Sequence, residues 1–398
     1  MISKWTMQYP ELGTGPIPID HCISRDYYEE ERSHIFRRVW LNVGREEEIP
    51  GPGSYFVREL QVCDSSVLVV RGRDNRIRAF YNMCSHRGNK LARTCRGKTG
   101  GFICGFHGWK YDLAGNLVHV PDETEFFDFD PKDHGLTAIP ISVWAGFIFI
   151  NFQPQPVQSL TDFLGELGEG LRAFPFSEMT LSGSYRAEVK ANWKITLDSF
   201  QEGYHVASLH KRSAGRAYAD QKNPVTHALA FRLFQLHRMM SIPGAAGYSP
   251  TPVELIAHRF GSSVTKIGGD RGSQNPLPTA LNSTKDPSRV FDMIIFFPNF
   301  FMFLFEGTYF TYNFWPLAVN RTVWETRMYF PPAKNAGQRF SQEYARIALR
   351  DTLLEDGNTL EAIQENLASG AKTHFVLQDQ EILIRHSHKV IADMIAGR

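Results

Sequence analysis

The sequence predicts an α+β protein with a small all-β domain followed by a larger domain built on an antiparallel sheet and a long helix. Three observations carry this prediction. Short strand-like segments with glycine-containing turns run from residue 40 to about residue 155. Four apolar, strand-like segments then follow one another within residues 293–330, and a long helical pattern covers residues 338–367. Pro154 and Pro156 mark the boundary between the two domains.

The elements divide the chain into three predicted segments. Residues 1–39 form an N-terminal helical segment that packs on the larger domain, with an amphipathic helix over residues 24–40 that Ser24 could cap. Residues 40–155 form the β domain, and residues 156–398 form the larger domain. The predicted strands are 54–60, 67–72, 77–82, 101–103, 142–152, 181–189, 293–297, 301–305, 308–316 and 322–330. The predicted helices are 193–204, 338–367 and 380–394, and residues 211–285 are predicted to be irregular.

Composition excludes several classes of function. The chain has 398 residues and a formal net charge of +1, so no strong field favours nucleic acid or an anionic membrane. No stretch reaches ~18 uninterrupted apolar residues, and the first residues lack an apolar signal region. We therefore expect a cytoplasmic protein. Five cysteines are too few for a disulfide scaffold in a chain of this length.

One motif places a cysteine and a histidine together twice. Cys84 and His86 are followed, after seventeen residues, by Cys104 and His107. Two such loops can hold a two-iron, two-sulfur cluster, with one iron bound by two thiolates and the other by two imidazoles. A structural zinc site is the alternative, although zinc loops typically pair two cysteines or two histidines. Cys22, Cys63 and Cys95 lack such partners and are predicted to be structural.

A second motif contains His205 and His210, preceded by the sequence Asn-Trp-Lys at residues 192–194. Two histidines and one carboxylate can bind a ferrous ion and leave one face of it open for oxygen. On a straight helix, side chains five residues apart diverge by ~140°, so we expect the helix to end or bulge between the two histidines.

Together, these motifs resemble those of the ring-hydroxylating oxygenase α subunits. The resemblance rests on Cys84-x-His86-Arg-Gly, on Cys104-Gly-Phe-His107-Gly-Trp-Lys-Tyr, on Asn-Trp-Lys, and on Tyr-His205 followed by His210. It covers residues from about 24 to about 390. It implies a Rieske [2Fe-2S] domain and a catalytic domain of the helix-grip, START-like type with one mononuclear Fe(II).

The resemblance also implies two roles for acidic residues. The third iron ligand in the family is a carboxylate on a late helix, and Asp356 matches that position best among Asp351, Glu355, Asp356 and Glu361. In the family, an acidic residue three positions before the first histidine connects the iron site to a Rieske histidine of a neighbouring subunit. Glu202 occupies that position here, and Asp198 is the competing candidate.

The implied function is that of the terminal oxygenase component of a multicomponent system. A separate reductase, with or without a ferredoxin, would pass electrons from NAD(P)H to the cluster, and O2 would react with a small hydrophobic or aromatic substrate. Dihydroxylation of a ring and monooxygenation, including demethylation, remain open. A homotrimer is expected, and an additional β subunit is possible. The rival function is a Rieske electron carrier without oxygen chemistry of its own.

The substrate side gives weaker signals. Many phenylalanines lie between Phe291 and Trp315, and they are predicted to be mostly core, with some lining an apolar cavity. Residues 211–285 could form an entrance lid. Side chains there that could pair with an acidic substrate are Arg212, Arg216, His227 and His258.

Overall fold

The computed structural model describes residues 4–261 and 277–398, and the chain divides into two compact units. One unit is Arg32–Phe163. The other combines the N-terminal residues through Glu31 with Leu164–Arg398. Part of the predicted lid, residues 262–276, lies outside the described residues. The domain limits at 39/40 and 155/156 stay predictions.

The smaller unit consists of antiparallel sheets around an apolar core. A five-stranded sheet has the spatial order Ala138–Ile139, Ile77–Tyr81, Ser65–Arg71, Ser54–Leu60 and Arg96–Lys98. Two three-stranded sheets are formed by Ile141–Trp144, Phe147–Ile150 and Leu41–Arg45, and by Phe102–Ile103, Lys110–Tyr111 and Leu117–His119. Cys84 and Cys104 are buried in the same core cluster as Trp109 and Tyr111.

The larger unit contains a seven-stranded antiparallel sheet. Its strands, in spatial order, are Thr180–Val189, Arg321–Phe330, Thr308–Ala318, Phe300–Phe305, Arg289–Phe296, Arg238–Pro243 and Ala230–Leu233. A two-stranded sheet pairs Ile17–Pro18 with His374–Phe375. The predicted α+β class is therefore confirmed.

Helices complete the fold. The α-helices are Lys4–Gln8, Asp20–Ile23, Arg25–Glu31, Leu160–Gly170, Trp193–Asp198, Val206–Leu209, Gly215–Tyr218, Pro252–Arg259, Ala336–Ala368 and Ile382–Ile395. No helix in the described ranges is long and apolar enough to cross a membrane.

The long helix Ala336–Ala368 lies along the edge strand Thr180–Val189. Its first turn is capped by Asn335, whose side chain accepts a hydrogen bond from the N–H of Gln338. Further along, the Tyr185 hydroxyl donates to the carbonyl of Arg346 at 3.2 Å. The helix buries a stripe at intervals of three and four residues: Ala345, Leu349, Leu353, Asp356, Leu360, Gln364 and Leu367. Among the acidic residues of the helix, Asp356 lies on this buried stripe.

Four sequence predictions need correction. The α-helix predicted over 24–40 ends at Glu31 and continues as a π-helical segment, Arg32–Phe36, although the Ser24 hydroxyl does accept from the N–H of Tyr27. The strand predicted over 142–152 is two strands, because Ala145 and Gly146 turn the chain with φ angles of 50° and 82°.

The other two corrections lie near the second histidine motif. The helix predicted over 193–204 ends at Asp198. Residues 211–285, predicted to be irregular, contribute two strands to the large sheet, Ala230–Leu233 and Arg238–Pro243. They also contain the helices Gly215–Tyr218 and Pro252–Arg259.

Candidate metal sites and substrate cavity

The two Cys/His loops of the smaller unit share one backbone geometry. The N–H of Gly88 donates to the carbonyl of Cys84 at 2.9 Å, and the N–H of Gly108 donates to the carbonyl of Cys104 at 3.0 Å. Both glycines have positive φ angles, 76° and 75°, which side chains disfavour. Each loop therefore turns back on itself directly after its cysteine and histidine.

The four predicted cluster ligands come together at the ends of these loops. The thiols of Cys84 and Cys104 are buried and interact with each other. The Nδ1 atoms of His86 and His107 lie 3.1 Å apart near the surface. Two sulfurs inside and two ring nitrogens outside fit the ligand set of a Rieske cluster.

Neighbouring side chains hold this arrangement. The Tyr111 hydroxyl lies 3.2 Å from the Cys84 sulfur, and Asn89 Nδ2 donates to the Cys104 sulfur at 3.5 Å. The Trp109 ring stacks on His86, with ring centroids 4.9 Å apart and an angle of 8° between the planes. These contacts fix the thiols and one imidazole before any cluster is bound.

The two thiols have opposite pKa shifts. Burial is the largest effect on both and raises the pKa of Cys84 above its ordinary value. At Cys104, donors that include the backbone N–H groups of Phe106 and His107 outweigh burial, and its pKa is lowered. Because the thiolate is the form that binds iron, Cys104 is already biased toward the ligand state.

The remaining cysteines differ in exposure. Cys22 and Cys63 are buried, and burial raises the pKa of Cys63 to about 12, so both fit the predicted structural role. Cys95 is exposed, so the structure does not support a core role for it.

In the larger unit, His205 and His210 flank a single turn of helix, Val206–Leu209. His205 precedes the turn and His210 follows it, with the N–H of His210 donating to the carbonyl of Val206 at 3.1 Å. A helix does end between the histidines, as expected, but it is this separate turn and not a continuation of the helix Trp193–Asp198. A short helix of its own brings the two rings to 5.1 Å between centroids.

Asp356 on the long helix completes a three-residue cluster. Its Oδ1 lies 3.2 Å from His210 Nε2 and 3.7 Å from His205 Nε2. The potential ligand atoms of the three residues all lie within 4.8 Å of one another. Oδ1 is buried and finds no hydrogen-bond donor within the described ranges.

A second carboxylate stands behind each imidazole. Glu202 forms a very short contact with Nδ1 of His205, and Glu355 Oε2 lies 2.8 Å from Nδ1 of His210. A carboxylate at Nδ1 places the ring proton there and leaves the Nε2 lone pair free. Two Nε2 lone pairs and the Asp356 carboxylate then face one another without a proton between them. A cation bound between them would accept a lone pair from all three. The donor set fits a facial triad for ferrous iron.

The same carboxylates influence the protonation of His210. Burial lowers its pKa, but the nearby carboxylates of Asp356 and Glu355 outweigh burial, and the net pKa is raised above its ordinary value.

The structure separates the other acidic candidates from the cluster. Asp198 lies 3.0 Å from Nε2 of His388 and accepts from Gln201. Asp351 pairs with Arg350, and Glu361 accepts from the N–H of Lys190. Glu355, a candidate for the third ligand in the sequence, instead contacts Nδ1 of His210 and accepts from Ser213.

The Asn-Trp-Lys sequence ties the segment before His205 to the rest of the unit. Asn192 caps the helix Trp193–Asp198 by accepting from the N–H of Lys194. The Trp193 Nε1 donates to Glu31 at 2.9 Å, and the Lys194 ammonium forms a very short ion pair with the same carboxylate. Sequence reasoning missed Glu31, which lies far away along the chain.

A cavity of about 490 Å³ opens on the His205, His210 and Asp356 cluster. Its walls include alternate residues of neighbouring strands, namely Phe291, Met293, Phe303, Phe305, Phe310 and Tyr312. The other phenylalanines of these strands, including Phe301 and Phe314 on the same strand faces as cavity residues, are buried and are not among the lining residues, so they belong to the core, as predicted. Of the four side chains predicted to pair with an acidic substrate, Arg212 and Arg216 line the cavity, and His227 and His258 are not among its lining residues.

Comparison with known proteins agrees with this architecture. The model of the "Ring hydroxylating alpha subunit (catalytic domain)" family matches residues 176–397, and that of the "Rieske [2Fe-2S] domain" matches residues 39–139. The chain belongs to the family of Rieske oxygenase α subunits. A Rieske cluster and a mononuclear iron are its cofactors.

Individual relatives match over about half of their length. The glycine betaine monooxygenase oxygenase subunit of Chromohalobacter salexigens is 32% identical over 197 residues, which is 48% of this chain and 43% of that protein. The carnitine monooxygenase oxygenase subunit of Escherichia coli K12 is 34% identical over 197 residues, 49% of this chain and 52% of the relative. A crystal structure of a quaternary ammonium Rieske monooxygenase covers 95% of both chains, with a TM-score of 0.75 and 20% identity.

Proposed function

We propose that this chain is the terminal oxygenase component of a multicomponent Rieske non-heme iron system. Cys84, His86, Cys104 and His107 hold the [2Fe-2S] cluster. His205, His210 and Asp356 hold the ferrous ion. A separate NAD(P)H-dependent reductase, with or without a ferredoxin, supplies electrons.

The observation that carries the proposal is the convergence of three lone-pair donors at the end of a cavity. When Glu202 and Glu355 hold the ring protons on Nδ1, neither Nε2 atom can donate a hydrogen bond to the Asp356 carboxylate. An electron carrier needs neither this cluster nor a cavity of about 490 Å³ beside it. The carrier function is therefore not favoured.

The residues around the iron ligands have separable tasks. Bound iron would supply the redox chemistry that combines O2, two electrons and two protons with the substrate. In dihydroxylation both oxygen atoms enter the product, and in monooxygenation one enters the product and the other leaves as water. Glu202 and Glu355 keep both imidazoles oriented. Glu202 also bridges to the Rieske histidine of a neighbouring subunit and carries the proton that accompanies the electron. Asp198, which is engaged with His388, is not the bridge in this proposal.

The substrate is a small molecule with an apolar or cationic reactive end. Aromatic side chains line much of the cavity, and such walls bind either an aromatic ring or a quaternary ammonium group. The relatives named for glycine betaine and carnitine support the second choice. An aromatic substrate, which the sequence favours, fits the same walls.

Assembly and location complete the proposal. We propose a homotrimer in which electrons cross between subunits, with an additional β subunit as the alternative. We also propose a cytoplasmic location. Nucleic acid and membranes are not partners.

Single-turnover oxidation tests the function. The cluster is reduced chemically without oxygen, a candidate substrate is added, and oxygen is then admitted. We expect hydroxylated product and oxidised cluster in the wild type. His205→Ala should give no product while the visible spectrum of the cluster stays intact. A bleached spectrum in that variant would contradict the separation of the two sites.

A further inference from the structure

Two arginines share the cavity with the proposed iron site. Arg212 follows the proposed ligand His210 by two residues, and Arg216 is the second residue of the helix Gly215–Tyr218. We propose that Arg212 and Arg216 form a carboxylate subsite, so that the substrate is a small organic carboxylate whose opposite end reaches the iron. The inference rests on the proposed function only for the identity of the reacting end.

The carboxylates that line the cavity are already engaged. Glu202, Glu355 and Asp356 face the imidazoles, and Asp351 pairs with Arg350 at 2.7 Å. The fifth cavity carboxylate is Glu254. Each of the first four carboxylates thus already has a side-chain partner in the protein.

Glu254 is held by its own element and by two tyrosines. Its side chain accepts from the N–H of Thr251, in a capping box at the start of the helix Pro252–Arg259. The hydroxyl of Tyr344 donates to it at 3.1 Å, and Tyr248 donates as well. Burial raises the pKa of Glu254, but these donors outweigh it and hold the pKa below its ordinary value. Glu254 therefore stays charged and has little accepting capacity left.

In contrast to the carboxylates, the two arginines have N–H donors without partners in the described part of the chain. Arg216 reaches Glu254 by one contact of 3.5 Å, and its side chain is 53% exposed. Arg212 is exposed and has no hydrogen bond or ion pair within residues 4–261 and 277–398. A guanidinium carries five N–H donors, and its fork matches a carboxylate. The two arginines are thus the cavity cations with donors to spare.

The cationic arginines and the apolar wall of the cavity together would orient a substrate. A carboxylate bound by the arginines leaves the other end of the molecule against Phe291, Phe303 and Phe305, where the cavity is apolar. Glycine betaine and carnitine, which name two relatives, are carboxylates with a quaternary ammonium end. Benzoate is an aromatic molecule of the same pattern.

Binding to the anaerobic holoprotein tests the subsite without turnover. Calorimetric titrations use three carboxylates and matched partners that lack the negative charge: glycine betaine with choline, carnitine with its methyl ester, and benzoate with benzamide. We expect at least one carboxylate to bind about ten- to a hundredfold more tightly than its partner, as charge-assisted hydrogen bonds provide.

Variants assign the preference to the two side chains. Arg212→Gln and Arg216→Gln should each remove most of the preference for the carboxylate, whereas Arg212→Lys should keep part of it. Arg259→Gln, at an exposed arginine outside the cavity lining, should change nothing. Iron content is measured in each variant, because Arg212 lies close to His210.

The outcomes separate this inference from the proposed function. Equal binding of carboxylates and partners, a preference that survives both glutamine variants, or no binding of any of the three carboxylates would overturn the subsite. Arginine-dependent binding without any oxygenation would keep the subsite and count against the oxygenase. Hydroxylation of an uncharged substrate that does not depend on either arginine would support the oxygenase and count against the subsite.

Discussion

A buried ion pair anchors the segment that leads to the proposed iron ligands, and its removal should destabilise the larger unit strongly. The side chains of Glu31 and Lys194 are both 0% exposed. Glu31 also accepts from Trp193 Nε1 at 2.9 Å. Lys194→Met would leave the carboxylate buried with a single neutral donor.

The expected cost is about 3–5 kcal/mol in the free energy of unfolding, because an uncompensated buried charge remains. Burial already raises the pKa of Glu31, although Lys194 opposes this shift. Loss of the ammonium would raise the pKa further, so protonation of Glu31 should keep the cost near the lower end of that range. Glu31→Gln combined with Lys194→Met should recover much of the loss, because no charge is then buried.

Differential scanning calorimetry measures this effect, with cluster absorbance reporting on the smaller unit separately. The matched control is Arg321→Met, which breaks the exposed Arg321–Glu188 pair in the same unit. This control should cost less than about 1 kcal/mol. Equal losses for Lys194→Met and Arg321→Met, or no recovery in the double variant, would refute the reasoning.

Three further predictions concern single side chains. Glu202→Gln should retain both metals and block electron transfer between them; normal oxidation of the cluster in a single turnover would rule out the bridging role. Glu355→Ala should weaken iron binding about 10- to 100-fold, because His210 loses the acceptor at Nδ1; an unchanged iron titration would contradict this. His386 should make the fold acid-sensitive, because burial, with help from the charge of Arg238, lowers its pKa to about 3. Below about pH 6.5 the unfolded chain binds a proton at His386 and the folded chain does not. The contribution of His386 to the free energy of unfolding is therefore fully present above pH 6.5 and is lost as the pH decreases toward 3. Between pH 7 and pH 5, the wild type should lose about 2 kcal/mol more than His386→Gln in urea unfolding; parallel losses would show that His386 is not responsible.

The sequence was most informative where chemistry depends on local spacing. The Cys84/His86 and Cys104/His107 loops are short, and their turns need only the glycines that follow each pair. The four strands between residues 289 and 330 and the long helix were also recognisable, because their apolar periodicity is regular. Asp356 could have been chosen on physical grounds as well, since it lies on the buried stripe of the helix.

Contacts between distant residues could not be predicted in the same way. Nothing local to Glu31 indicates Lys194, and nothing local to Glu355 indicates His210. The strand Arg238–Pro243 was missed because a fully buried arginine begins it; Arg238 donates there to Gln201 and Ser387. The helix after Trp193 was predicted too long. It ends at Asp198, and Gly203 then passes so close to Thr226 that a Cβ would lie 2.4 Å from its carbonyl oxygen.

The most direct test of the account is the content of iron and acid-labile sulfide per chain in anaerobically purified wild-type protein. The two proposed sites predict about three irons and about two sulfides, one iron being removable by a chelator and restored by ferrous salt. About two irons and two sulfides, with no ferrous iron rebinding, would leave the cluster and contradict the mononuclear site on His205, His210 and Asp356.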